Sequence, residues 1–152
     1  MQQNEKLAEL LSDLVKINND RIEGYEKAMA QTDDADLKAL FQRMIDESRT
    51  YEGQLNEERV KLGGDFETGT TVSGKIYRAW MDVKATFSGD SRHAILASCE
   101  YGEDAAQRAY EEALRSDTPM PYSLRELIAN QKGALRRSHD TIKTYRDMEK
   151  VS

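Results

Sequence analysis

The chain is short of the residues that staple, break or anchor a polypeptide. Its single cysteine, Cys99, excludes an internal disulfide and fits a reducing compartment, so the cytoplasm is the expected setting. Its two prolines, Pro119 and Pro121, fall within one tetrapeptide and leave the rest of the chain free to be helical. No apolar run approaches the ~20 residues that span a bilayer. The N-terminal Met1-Gln2-Gln3-Asn4-Glu5 has no basic segment followed by an apolar one, so no secretory signal is expected. A basic excess is also missing: the net charge of −6 argues against nucleic acid and anionic membrane as partners, since phosphate contacts need a basic face. What is present is 33% charged and 38% apolar residues in a chain of 152, the balance of one folded, highly helical domain over 1–152.

Apolar periodicity predicts four long helices. The first runs from about Glu5 to Ala30, with Leu7, Leu10, Leu11, Leu14, Ile17, Arg21, Tyr25 and Ala28 on one face. Thr32-Asp33-Asp34 offers N-cap chemistry for a second helix striped by Leu37, Phe41, Met44, Ser48, Leu55 and Leu62, which Gly63-Gly64 ends. A crossover over 63–89 follows, a Gly/Thr/Ser-rich loop and then a short amphipathic helix of about Lys75–Phe87. The third helix, capped by Asp90 or Ser91, carries Ile95, Cys99, Gly102, Glu103, Ala106, Tyr110 and Ala113 on one face. The fourth starts with Pro119 in its first turn or at the capping box Ser123-x-x-Glu126, and its stripe is Leu124, Ile128, Gln131, Leu135, His139, Ile142 and Arg146. Two antiparallel hairpins joined by one long crossover make an all-α, ferritin-like four-helix bundle.

The inward stripes turn polar near mid-length. Counting from the hairpin turns places Asn18, Ser48, Glu103 and a point between Gln131 and Leu135 near the midplane, Arg21 slightly to one side, and Tyr25, Cys99 and His139 further toward the end that holds the two hairpin turns. A di-iron or di-manganese bundle needs a Glu from each of two helices and a Glu-x-x-His from each of the other two, because residues three apart share a face. Here the histidine position after Glu47 is Thr50, and the fourth helix offers Gln131-Lys132-Gly133-Ala134 with neither carboxylate nor imidazole. The expectation is therefore a satisfied polar core without cofactor, in which Glu103 pairs with Arg21 or bonds to Asn18, Gln131 or a tyrosine hydroxyl. The alternative is an iron or manganese site reduced to the surroundings of Glu103, with Glu47 or Glu100.

Several of these residues carry a resemblance. Asp20 with Gly24-Tyr25, the Leu62-Gly63-Gly64 helix end, Arg78-x-Trp80, Cys99-Glu100-x-Gly102-Glu103-Asp104, Tyr110 and Ser138-His139-Asp140 are similar to an uncharacterised bacterial family. That family comprises four-helix-bundle proteins of the ferritin-like superfamily, classed as a domain of unknown function. The resemblance implies the fold and a bacterial cytoplasmic setting, and brings no established activity. Tyr77 stands where relatives often carry histidine.

Three features invite other readings. Gly69-Thr70-Thr71-Val72-Ser73-Gly74-Lys75 almost spells a phosphate-binding loop, but Ile76 replaces the magnesium-ligating hydroxyl and no strand precedes it. Cys99 on an apolar face reads as a small core residue rather than a nucleophile, with packing against His139 the expected contact. Trp80 is expected to anchor the crossover helix, or to offer the apolar seam of a homodimer. The functional expectation is a bundle without catalysis, acting on an unidentified protein partner or a second copy of itself. The metal-dependent oxidase is the alternative.

Overall fold

A computed structural model describes residues 2–69 and 92–149, and within them the chain is all helix and connecting loop. The helices are α1 (Gln2–Ala30), α2 (Ala35–Lys61), α3 (Arg92–Arg115) and α4 (Tyr122–Glu149). The crossover helix expected near 75–87, with Tyr77, Arg78 and Trp80, lies outside the described residues, as do the caps proposed at Asp90 and Ser91.

Each helix buries most of the stripe its sequence advertises, with Leu10, Leu62 and Arg146 left half-buried at its margins. Leu11, Leu14 and Tyr25 of α1, Leu37, Phe41 and Leu55 of α2, Leu96 and Tyr110 of α3, and Ile128 of α4 are fully inside one continuous core. Burying one such side chain contributes about 1.5–3 kcal/mol relative to leaving it in water. The helices form an antiparallel bundle with α1 beside α2, α3 beside α4, α1 beside α3, and a lighter α2–α4 seam. Arg92 at the start of α3 pairs with Asp34 and Asp36 at the start of α2, at 2.9 Å each. Hence α2 and α3 run parallel, with the end of α2 and the start of α3 at opposite ends of the bundle, which is the ferritin-like topology.

The helix ends show where local sequence signals hold. Gly63 sits at φ 87°, its N–H bonds to the Val60 carbonyl at 3.0 Å, and the Gly64 N–H bonds to the Arg59 carbonyl at 2.9 Å. This double closure needs a left-handed residue at Gly63, where glycine carries no Cβ penalty. Chain 65–69 then folds back along α1: Asn56 brackets both backbone groups of Glu67, Ser12 donates to the Glu67 carboxylate, and Asn19 donates to the Gly69 carbonyl at 2.7 Å.

Two expected caps differ. Asp34 occupies the N-cap position of α2 but makes no side-chain cap bond. Its carboxylate is drawn to Arg92 instead, and the Thr32 hydroxyl accepts the Asp34 N–H at 3.1 Å. Helix α4 begins at Tyr122, with the Pro121 carbonyl accepting from the Leu124 and Arg125 N–H groups at 3.1 Å each. Pro119 therefore lies outside the helix and Ser123 already inside its first turn, so neither expected start is the one used.

Candidate functional site

Arg21 projects from the inner stripe of α1 into the middle of the bundle, with 0% of its side chain exposed. A guanidinium carries five N–H donors in a rigid fork, and here every one is met. Nε and Nη2 grip the two Glu103 carboxylate oxygens of α3, the second at 3.1 Å. Nη2 also reaches Glu47 of α2 at 2.9 Å, while Nη1 donates to the Ser48 hydroxyl at 2.7 Å and the Met44 carbonyl at 3.1 Å. The guanidinium carbon lies 5.3 Å from the centroid of the Tyr25 ring, a cation–π distance, and that ring packs in turn against Phe41 at a tilt of 38°.

The electrostatics follow from this enclosure. Burial alone would pull the Arg21 pKa down, but Glu103, with Tyr25 and Glu47, more than reverses it, and the guanidinium stays charged. For Glu103 burial dominates and raises the carboxyl above its ordinary value, against the opposing pull of Arg21 and with Glu47 adding to the rise. One cation thus faces two carboxylates in a closed space. Desolvating such ions costs several kcal/mol each, and charge-assisted hydrogen bonds of about 1.5–3 kcal/mol apiece offset that. The net contribution to stability is small, while the geometric demand on α1, α2 and α3 is strict.

From Arg21 a one-way chain of hydrogen bonds leads outward. Ser48 donates to Asn18 at 2.9 Å, Asn18 to the Tyr110 hydroxyl at 2.8 Å, Tyr110 to Gln131 at 2.7 Å, and Gln131 to Gln54 at 3.0 Å. Each acceptor end faces back toward the cation, an ordering in which neighbouring bonds polarise one another. Burial raises the Tyr110 phenol pKa, so its hydroxyl keeps the proton it donates. At the other margin Glu47, 21% exposed, accepts from Ser138 of α4 at 2.8 Å and from Tyr51 at 3.1 Å. All four helices meet in this network.

Asn18, Arg21, Glu103 and Gln131 are therefore brought together. His139 is not part of the chain. Its Nε2 lies 2.7 Å from Asp104 and 3.7 Å from Glu100, and its Nδ1 3.0 Å from Asp140, in a separate cluster on the α3–α4 flank where Arg146 also holds Glu100. Sequence reasoning missed Ser138, Tyr51 and Gln54 as members and weighed Glu47 only as a metal ligand. The available signal was spacing: Glu47 and Tyr51 flank Ser48 on the helix face that Met44 shares.

The residues present do not fit a di-metal centre. The position three after Glu47 is Thr50, which is exposed and bonds to the Asp46 carbonyl, and a guanidinium fills the space between Glu47 and Glu103. Among the described residues no group of three or more His, Cys, Asp or Glu side chains is placed to hold a metal ion, and no helix is long and apolar enough to cross a membrane.

Comparison with known proteins agrees with this architecture. A solved structure of a Dps1 mutant from Mycobacterium smegmatis superposes with a TM-score of 0.80, covering 95% of this chain and 97% of that one, at 15% identity. At that identity the likeness establishes the fold alone. No curated protein matches the chain. The profile of a bacterial family described as "Domain of unknown function (DUF2383)" matches residues 6–116. The chain belongs to that family, and its members' fold is here a ferritin-like four-helix bundle.

Proposed function

We propose that this protein is a ferritin-like bundle that works by binding or association rather than by oxidative metal chemistry. The observation that supports this is Arg21. A fixed, fully buried positive charge holds the carboxylates of α2 and α3 in the region where metal-dependent bundles converge their ligands. A divalent ion there would have to displace a guanidinium whose five N–H donors are all bonded, and would share the space with its charge. The binding partner in this reading is a second copy of the chain or another protein.

A second reading keeps a metal role. The whole-chain likeness to the Dps1 structure speaks for it, as does the convergence of Glu47 and Glu103 on one point. Iron or manganese would then be held by these two carboxylates with Arg21 swung aside. Elemental analysis of protein purified without a metal-chelating tag, followed by anaerobic Fe²⁺ and Mn²⁺ titration, separates the two. The first reading expects no stoichiometric metal and no rise in Tm. Two tightly held ions, lost on Glu103→Ala, would establish the second.

A further inference from the structure

The polar core is shaped for one chemical group, and that group need not be attached to the backbone. Glu103, Glu47, Ser48 and the Met44 carbonyl supply five acceptor positions matching the five guanidinium donors, and Tyr25 covers one face. The acceptors come from α2 and α3, while Arg21 comes from α1. Three of them are also held independently of Arg21: Ser48 by its bond to Asn18, Glu47 by Ser138 and Tyr51, and the Met44 carbonyl by its helix. We propose that this core is a guanidinium cage which Arg21 occupies in cis, and that with the Arg21 side chain removed it binds a free alkylguanidinium. The proposal rests on the reading of Arg21 as the resident cation of the site.

The selectivity follows from geometry. An ammonium has three donors and no plane, so it cannot bridge both Glu103 oxygens while reaching Ser48. A divalent metal would find only two carboxylates. Glu47, partly exposed at the α2–α4 seam, marks the side from which a small cation enters.

The test uses Arg21→Ala, which deletes the atoms of ethylguanidinium. Thermal unfolding and calorimetric titration are run with ethylguanidinium, ethylammonium and Mn²⁺ at matched millimolar concentrations. Ethylguanidinium is expected to bind saturably and raise Tm by roughly 5–10 °C when present at about 100 times its Kd. The wild type, with its cage filled, and the double variant Arg21→Ala/Glu103→Gln should show no such rise. Should Arg21→Ala be unfolded alone, recovery of helix by far-UV circular dichroism on adding ethylguanidinium is the same positive result. Absence of both binding and refolding overturns the cage. So does equal stabilisation by ethylammonium, which would mean a general cation hole. Stabilisation by Mn²⁺ instead would make the emptied site a metal site, again overturning the cage, while leaving the wild-type reading to its own metal analysis.

Discussion

Glu103 and Arg21 meet inside the core, and changing either one alone leaves the other with part of its charge and hydrogen bonding unmatched. Glu103→Leu with Arg21 retained takes the Glu103 oxygens from two of the guanidinium's five N–H donors inside a dry core, and the expected loss is about 3–5 kcal/mol. Glu103→Leu combined with Arg21→Met replaces the pair by apolar volume, and Glu47, being partly exposed, can turn to water. The double variant should lie within ~1 kcal/mol of wild type by urea unfolding. Equal stability of the single and double variants would mean that the ion pair has no energetic coupling. The same carboxyl gives a pH signature. Its folded pKa is raised by burial, so its contribution to stability is complete below the unfolded value near 4.5 and is lost as pH rises through the folded value. Glu103→Gln cannot titrate. The Tm difference, wild type minus Glu103→Gln, should therefore fall as pH rises from 4 through the folded pKa and then level off. A difference that grows with pH would show that Arg21 outweighs burial at this site.

The helices themselves were largely legible from sequence, and the places where legibility stopped have a physical pattern. Apolar stripes at 3.6-residue spacing fixed α1 to α4 and their inner faces because those faces have only one place to go. The Gly63 terminus was equally readable, since φ 87° is a backbone state that glycine alone adopts without strain. Gly63→Ala should cost about 1 kcal/mol through that strain, with the loss read from urea unfolding. The start of α2 was read at the right place but without its cap bond, because Arg92 takes the Asp34 carboxylate, and the start of α4 was misread, since the Pro121 carbonyl begins that helix one residue before Tyr122. Ser123→Ala at the apparent capping box is accordingly expected to change stability by less than about 0.5 kcal/mol, well below the ~1 kcal/mol of a true N-cap. A loss of 1 kcal/mol or more in the same unfolding experiment would restore the capping box. The midplane polar residues were visible as breaks in apolar stripes, whereas Glu47, Tyr51 and Ser138 were not, because polar residues at the edge of a seam, half-buried like Glu47 and Tyr51 or just covered like Ser138, look like surface in one dimension.

At the scale of the whole molecule, the polar network decides how the two hairpins communicate. Arg21 ties α1 to α2 and α3, and Tyr110 with Gln131 and Ser138 with Glu47 carry the ties to α4. The α2–α4 seam is lighter than the other seams between adjacent helices, and the hydrogen bonds across it run from Ser138 to Glu47 and from Gln131 to Gln54 and the Tyr51 carbonyl. Such bonds give little net stability each, about 0.5–1.5 kcal/mol, but leave costly orphans if one partner departs. The bundle should therefore open as a unit rather than hairpin by hairpin. Gln131→Leu tests this at a distance, since it leaves the buried Tyr110 O–H without its acceptor at the junction of both hairpins, while Asn18 still donates to the phenol oxygen. An overall loss of about 1–3 kcal/mol is expected. Native-state hydrogen exchange should record that loss equally in the most protected amides of α1–α2 and of α3–α4. If protection fell only in α3–α4, the two hairpins would be separate cooperative units, and the network would order the core without coupling its halves.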